Sequence, residues 1–295
     1  MALCLPFLGY LLFAVAASAQ TTVVDDAGRT VTLAHPAERI VSLSPHATEL
    51  LFSAGAGAKV VGAVRWSDYP EAAARIQRVG DTYSLDLERI VALHPDLVVA
   101  WASGNGRAKI EGLLDLGMTV FVSEPATLER IGTSIRDLGL LAGTRAAADD
   151  ASAAFRERLS RLRARYSARP VVSVFYQIWN QPMFTVNGRH LISVVIETCG
   201  ARNVFAGLAT LSPEVSVEAV LQANPDVIIA AGTGPDRPAW LDAWRRWPGL
   251  KAVRAGALYY IPPDLLQRDS ARILDGAQQM CEMIEEERRT PVHSG

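Results

Sequence analysis

A surplus of positive charge is missing from this sequence. Its 295 residues hold 29 Lys and Arg against 31 Asp and Glu, a formal net charge of −2. Nucleic-acid binders carry a basic face, so that class finds no electrostatic support. Histidine is sparse and scattered: His35, His46, His94, His190 and His293 stand apart, with none paired one helical turn from another. A zinc-type cage of several imidazoles is therefore not expected. G-x-S-x-G, P-loop and H-E-x-x-H patterns are absent. Gly104-Asn105-Gly106 lacks a third glycine and follows a tryptophan, so it makes a weak dinucleotide fingerprint. Low-complexity tracts are absent as well, and 49% hydrophobic with 20% charged residues is ordinary globular composition.

What is present begins with an apolar run from Leu3 to Ala17, followed by the small-x-small triplet Ala17-Ser18-Ala19 and Gln20. This reads as a secretory leader cut after Ala19. One feature departs from the pattern: no Lys or Arg precedes Arg29, so the positive leader start is lacking. Either the starting Met is misplaced or the amino terminus alone supplies the charge. The alternative is a membrane anchor, for which the run is short of the roughly 20 residues a span needs. Of the three cysteines, Cys4 would leave with the leader, and Cys199 and Cys281 remain. An even pair in an exported chain reads as one disulfide; the other reading is two buried thiols.

Beyond the leader, TTVVDDAGRTVTL alternates around an Asp-Ala-Gly turn, as a hairpin does. Short apolar strands are expected at 39–43, 59–64, 97–100 and 119–122, with helices at 44–54, 85–93 and 109–116 between them. A helical stretch follows from Leu128, and 145–166 reads as one long charged helix. Strand-helix alternation then resumes: a strand at 171–177, a helical run at 191–198, a helix at 214–222, strands at 227–230 and 258–261, and a last helix at 270–287. Two runs nearly repeat. LERIVALHPDLVVA (87–100) and VEAVLQANPDVIIA (217–230) share a helix, a Pro-Asp turn and an apolar strand, with Glu88 matching Glu218. LLFSAGAGAKVVGA near Leu50 is likewise echoed by VVIETCGARNVFAG near Val194. Coincidence at a common junction is one explanation; the second echo argues for duplication. The expected fold is α/β, with two similar lobes of mostly parallel sheet joined by one long rigid helix: leader 1–19, first lobe 20–143, linking helix 144–168, second lobe 169–295.

Facing α/β lobes leave a cleft at the carboxyl ends of their strands. Trp66, Tyr83, Trp101, Trp179 and Phe184 fall where strands hand over to loops, in both lobes. Core packing explains any one of them; five together point to a flat apolar ligand. Asp264 and Arg268 follow the strand at 258–261 and can hydrogen-bond a polar fringe. Trp240, Trp244 and Trp247 sit at helical spacing and read as packing.

RIVSLSPHATELLF, WSDYPEAA, LDLERIVALHPDLVVAW, EVSVEAVLQANPD and RDSARILDGAQQMC resemble the periplasmic binding proteins of the iron-siderophore, haem and cobalamin ABC importers, above all the cobalamin-binding branch. The likeness covers nearly all of the chain after the leader. It implies two lobes bridged by a long helix, cobalamin as transported ligand, no catalytic cofactor, no resident metal, no enzymatic activity, and a periplasmic monomer. It places ligand contacts at Trp66, Tyr83, Trp101, Phe184, Asp264 and Arg268. It places docking to the inner-membrane permease at Glu88 and Glu218, and a disulfide at Cys199 and Cys281. The pattern departs at two points. Tyr83 stands where the best-known cobalamin binder has Trp, and a further cleft Trp falls near Ser212. The haem binders' iron-ligand Tyr lies two positions before Tyr83, at Asp81.

Two other functions are weighed beside this one. The same scaffold could hold haem, through Tyr83 or His46, or a ferric siderophore, through Arg65, Arg107 and Arg268. An exported hydrolase could use Glu49, Asp68 and Asp81, but no nucleophile with a supporting base accompanies them.

Overall fold

The computed structural model describes residues 20–289 except 233 and 235; the leader, its expected cut after Ala19, and Cys4 lie outside the described residues. The chain opens with an antiparallel hairpin, β1 (Thr21–Val24) and β2 (Thr30–Leu33). The first lobe follows as β3 (Ile40–Ser42), α1 (Pro45–Ser53), β4 (Val60–Ala63), α2 (Leu87–Ala92), β5 (Leu97–Trp101), α3 (Ala102–Asn105), α4 (Arg107–Asp115), β6 (Val120–Ser123) and α5 (Leu128–Leu141). The long helix α6 spans Arg145–Tyr166. The second lobe holds β7 (Val172–Gln177), α7 (Leu191–Thr198), β8 (Ala201–Asn203), α8 (Val217–Ala223), β9 (Val227–Ala230), α9 (Lys251–Ala255), β10 (Leu258–Tyr260), α10 (Pro263–Leu266) and α11 (Ile273–Arg289).

Both four-stranded sheets are parallel, in the orders β4-β3-β5-β6 and β8-β7-β9-β10. Each lobe therefore places its second strand outside its first and runs outward from its third to its fourth. The duplicated sequence is a duplicated topology. The Pro-Asp turn explains part of why the residues repeat. Asp96 Oδ2 accepts from the Glu38 and Arg39 amides at 2.8 and 2.9 Å, and Asp226 Oδ2 accepts from the Ser173 amide at 2.9 Å. In both lobes this aspartate ties the start of the third strand to the start of the first. The residue before each proline, His94 (φ 44°) and Asn224 (φ 43°), takes the left-handed conformation that ends a helix.

The central strands are apolar on both faces, as buried parallel strands must be. Ile40, Leu97 and Val99 face one core with Val174, Val227 and Ile229 of the other lobe, joined through Phe155, Leu159 and Leu162 of α6. The opposite faces pack separately: Val41, Val98 and Ala100 in the first lobe, Phe175, Ile228 and Ala230 in the second. Helix α6 is thus built into a core common to both lobes. Its buried stripe (Ala148, Ser152, Phe155, Leu159, Leu162, Tyr166) repeats every three or four residues. A Cβ on Gly139 of α5 would come within 2.1 Å of the Ala148 Cβ, so only glycine allows the two helices so close. On the other side, Arg158 pairs with Asp275 of α11 at 2.6 Å. The Cys199–Cys281 disulfide joins the end of α7 to α11.

Two expected helix starts are corrected, one strand is added, and the packed Trp240–Trp244 segment is defined. The helix expected at 85–93 begins at Leu87, because Leu85 bridges Gly80 and Asp86 caps the helix. The helix expected at 214–222 begins at Val217, because Ser216 caps it and Glu214 bridges Phe184. The three-residue edge strand β8, too short to show in a pattern, had no counterpart in the sequence reading. The segment of Trp240 and Trp244 is a 3-10 helix (Ala239–Arg246); Trp244 is buried and donates from Nε1 to Gln177 Oε1 at 2.8 Å.

Candidate functional site

The carboxyl ends of both sheets face each other between the lobes, and two cavities open there. One, of about 430 Å³, takes Trp101, Ser103 and Glu124 from the first lobe and His190, Ser212, Gln267 and Asp269 from the second. The other, of about 440 Å³, takes Trp66 and Asp68 from the first lobe and Asp264, Arg268 and Arg272 from the second. Consecutive residues of one segment, Arg268 and Asp269, line the two spaces. Ser212, where the resemblance puts a tryptophan in relatives, lines the first cavity, so the small side chain leaves room there.

Each wall residue is set by its local chain. Trp66 follows β4 with φ 67°, the left-handed region, which costs a non-glycine residue about 1–2 kcal/mol. Flanking bonds hold it there: the Arg65 amide donates to Gly80 O at 2.9 Å and Arg78 Nη2 to Ser67 O at 3.0 Å. The result is an indole 68% exposed at the cavity mouth. Trp101 ends β5, beside the crevice between β3 and β5 where the strand order reverses. Its amide donates to Asn105 Oδ1 at 2.6 Å, and Asn105 Nδ2 donates to Leu43 O and Thr82 O, each at 3.0 Å. Asn105 therefore fixes Trp101, the end of β3 and the loop of Tyr83 together. Gly104 clears the space, since a Cβ there would lie 1.9 Å from the Trp101 ring.

His46 packs edge-on against Trp101, with ring centroids 5.4 Å apart. Its Nδ1 lies 3.1 Å from Ser44 Oγ and its Nε2 lies 3.3 Å from Ser123 Oγ. Burial, and then the charge of Arg268, pushes its pKa down to about 3, so it is neutral at ordinary pH. With both ring nitrogens engaged and the ring buried, it supports Trp101 and offers no lone pair to an iron.

Arg268 is the most constrained of the expected ligand contacts. Nη1 donates to Glu49 Oε1 at 2.9 Å and to Asp68 Oδ1 at 2.8 Å, and Nη2 pairs with Asp264 Oδ1 at 2.9 Å. Glu49, 3% exposed, also accepts from Arg272 Nε and Nη2 at 3.0 and 2.6 Å and from the Ser270 hydroxyl. Arg272 in turn lies over the Tyr69 ring at 3.8 Å. A buried carboxylate on α1 thus receives two guanidinium groups from the segment before α11 and pins one lobe to the other.

Trp66, Asp264 and Arg268 meet at one cavity and Trp101 lines its neighbour. Tyr83 and Phe184 line neither. Tyr83 is 73% exposed on its loop. Phe184 is half-buried in a small ribbon, bridging Trp179 and Glu214. Glu88 and Glu218 are the second residues of α2 and α8, both exposed. Backbone hydrogen bonding, then the Ser216 hydroxyl, holds the Glu218 carboxyl below its ordinary range. Of the acids considered for hydrolysis, Glu49 is consumed by arginines and Asp81 by the Tyr83 and Ser84 amides. Arg107 pairs with Glu111 on the surface. Among the described residues no cluster of His, Cys, Asp and Glu could hold a metal ion, and no helix is long and apolar enough to cross a membrane. Sequence reasoning missed Glu49 as a pin, Asn105, Glu124, Asp269 and Arg272. The one visible signal was a charged residue inside the apolar run ATELLF.

The sequence pattern described as periplasmic binding protein matches residues 40–265. The chain belongs to the periplasmic binding protein family. A vitamin B12-binding protein of Vibrio parahaemolyticus is 36% identical over 257 residues, covering 86% of this chain and 92% of the relative. One of Yersinia pestis is 36% identical over 251 residues, covering 85% and 88%. Among solved structures, the periplasmic vitamin B12 binding protein of Vibrio cholerae superposes with a TM-score of 0.80 at 34% identity, over 86% of this chain and 99% of that one. A haem-binding protein of Roseiflexus superposes with a TM-score of 0.74 at 21% identity, over 85% and 98%, which shows the common fold alone. As a member of this family the chain has two α/β lobes of parallel sheet about one long helix, as the sequence led one to expect.

Proposed function

We propose that this protein captures cobalamin or a related corrinoid between its lobes and delivers it to an ABC importer permease. The observation that carries the reading is the pair of interlobe cavities walled by Trp66 and Trp101 and fringed by Asp264 and Arg268, in a chain 36% identical to vitamin B12-binding proteins. Indole faces suit the apolar parts of a corrin disc, and the acid and guanidinium groups suit its amide arms. Trp66, Tyr83, Trp101, Phe184, Asp264 and Arg268 are the ligand residues in this reading. Tyr83 and Phe184 join the contact from the rim once the disc is seated. The role is binding without catalysis, with no cofactor and no resident metal. The protein works as a monomer in the periplasm, after loss of a leader ending near Ala19.

Docking is assigned to Glu88 and Glu218. Topologically equivalent, exposed and at helix starts, one on each lobe, they form a pair of carboxylates suited to arginines of a two-fold permease. Absorption titration with cyanocobalamin tests capture: saturable binding at micromolar ligand is expected, and its absence refutes the reading. Glu88→Lys with Glu218→Lys should abolish corrinoid-dependent growth while ligand titration is unchanged; growth at the wild-type rate refutes the docking roles.

A further inference from the structure

The first cavity carries more acid than the ligand reading uses. Glu124 enters it from the end of β6, and Asp269 from the segment before α11 on the other lobe. Glu124 is held in place, its Oε2 accepting from the Ser103 amide at 2.8 Å and its Oε1 from the Ser103 hydroxyl at 3.1 Å. Behind it, Asp26 accepts from the Glu124 amide and pairs with Arg130 of α5. Of the facing groups, His190 is held neutral by burial, with a pKa down at about 4, and Arg189 keeps its charge but turns a guanidinium nitrogen to Ala209 O at 2.5 Å, so one cation faces two acids. Trp101 lines the same space, and its buried Nε1 has no hydrogen-bond partner.

Building on the corrinoid reading, we infer that Glu124 and Asp269 form a filter for the side arms of the ligand, accepting primary amides and rejecting carboxylates. An amide N–H donates to either acid. A carboxylate arm brings a third negative charge into a partly desolvated space. It leaves the acids without a donor, which is discrimination by an unfavourable contact. The filter selects amidated corrinoids over corrinoid acids, and equally over haem, whose polar arms are carboxylates.

The protonation of Asp269 supplies a second readout. Burial first, then the charges of Glu124 and Asp26, pushes its carboxyl up to about 7. Above that pH the filter holds two charges; below it Asp269 is neutral and the rejection weakens.

The test measures Kd for cyanocobalamin and for its three monocarboxylic acids, each with one propionamide hydrolysed, on wild type and on Asp269→Asn/Glu124→Gln. At pH 8 at least one acid should bind wild type about tenfold more weakly than cyanocobalamin, since a like charge at close range costs on the order of one pKa unit. That ratio should fall to about threefold or less in the double variant, and also in wild type at pH 5.5. Ratios near one in wild type, or a ratio the double variant leaves unchanged, overturn the filter. Absence of cyanocobalamin binding by wild type overturns the corrinoid reading and the filter with it.

Discussion

The pin between the lobes makes the sharpest stability prediction. Glu49 is 3% exposed and accepts four hydrogen bonds from three donors of the second lobe: Arg268, Ser270 and Arg272. The guanidinium groups are themselves sheltered, with side chains 11% and 17% exposed. Replacing Glu49 by Ala leaves Arg272 with no acid among its bonded partners and leaves Arg268 with the half-exposed Asp68 and Asp264. Breaking a buried ion pair from one side costs about 3–5 kcal/mol, most of it the uncompensated charge. Asp68 and Asp264 still face Arg268, so a loss near 3 kcal/mol is expected, read by urea denaturation with tryptophan fluorescence. The double variant Glu49→Met/Arg272→Met should recover part of that loss, because it also removes the stranded charge. A loss under about 0.5 kcal/mol, with additive single and double variants, refutes the pin as an energetic feature.

Three further outcomes follow from the same structure. Cys199→Ser/Cys281→Ser should lower stability by about 4 kcal/mol on the chain-entropy account of a loop this long, checked by denaturation in parallel with reduced wild type; an unchanged midpoint would refute it. His46, neutral in the fold down to pH about 3, binds its proton in the unfolded chain near 6.5, so the fold loses stability as pH falls through that window. Relative to His46→Gln, wild type should lose about 1.4 kcal/mol more per pH unit between pH 6 and 4, and parallel curves would contradict the assignment. Gly104→Ala must displace the Trp101 ring, so cyanocobalamin should bind about tenfold more weakly, with a changed indole fluorescence; a Kd within about twofold of wild type would show that the ring is not a wall of the site.

Much of the architecture was legible because it rests on short-range rules. Apolar runs bounded by Pro-Asp and Gly gave the central strands, and an Ala- and Arg-rich stretch without breakers gave α6 over its full length. The repeat at Glu88 and Glu218 was legible because each copy must satisfy the same local geometry: a capped helix, a left-handed residue before proline, and an aspartate reaching back to the first strand. Trp66 and Trp101 were legible just past and at strand ends, whereas Tyr83 and Phe184 sit farther out and line neither cavity. The Glu49 pin was not, because its partners lie more than 200 positions away and an acid inside an apolar helix only signals that something must neutralise it. Arg268, expected as a ligand contact, is in addition held by three carboxylates, two of them from the other lobe.

That occupancy bears on how the cleft works. On the corrinoid reading, ligand amides that reach Arg268 would compete with Asp68 and Asp264, whose side chains are about half exposed, and not with Glu49, which is buried. The exposed pairs cost little to exchange, on the order of 1 kcal/mol or less each. The buried pair is expensive to break. A guest can therefore take over the rim of Arg268 without loosening the lobes, since Arg272 and Ser270 keep their hold on Glu49. Helix α6 is built into a core common to both lobes, so a large swing of one lobe on the other would have to open that core.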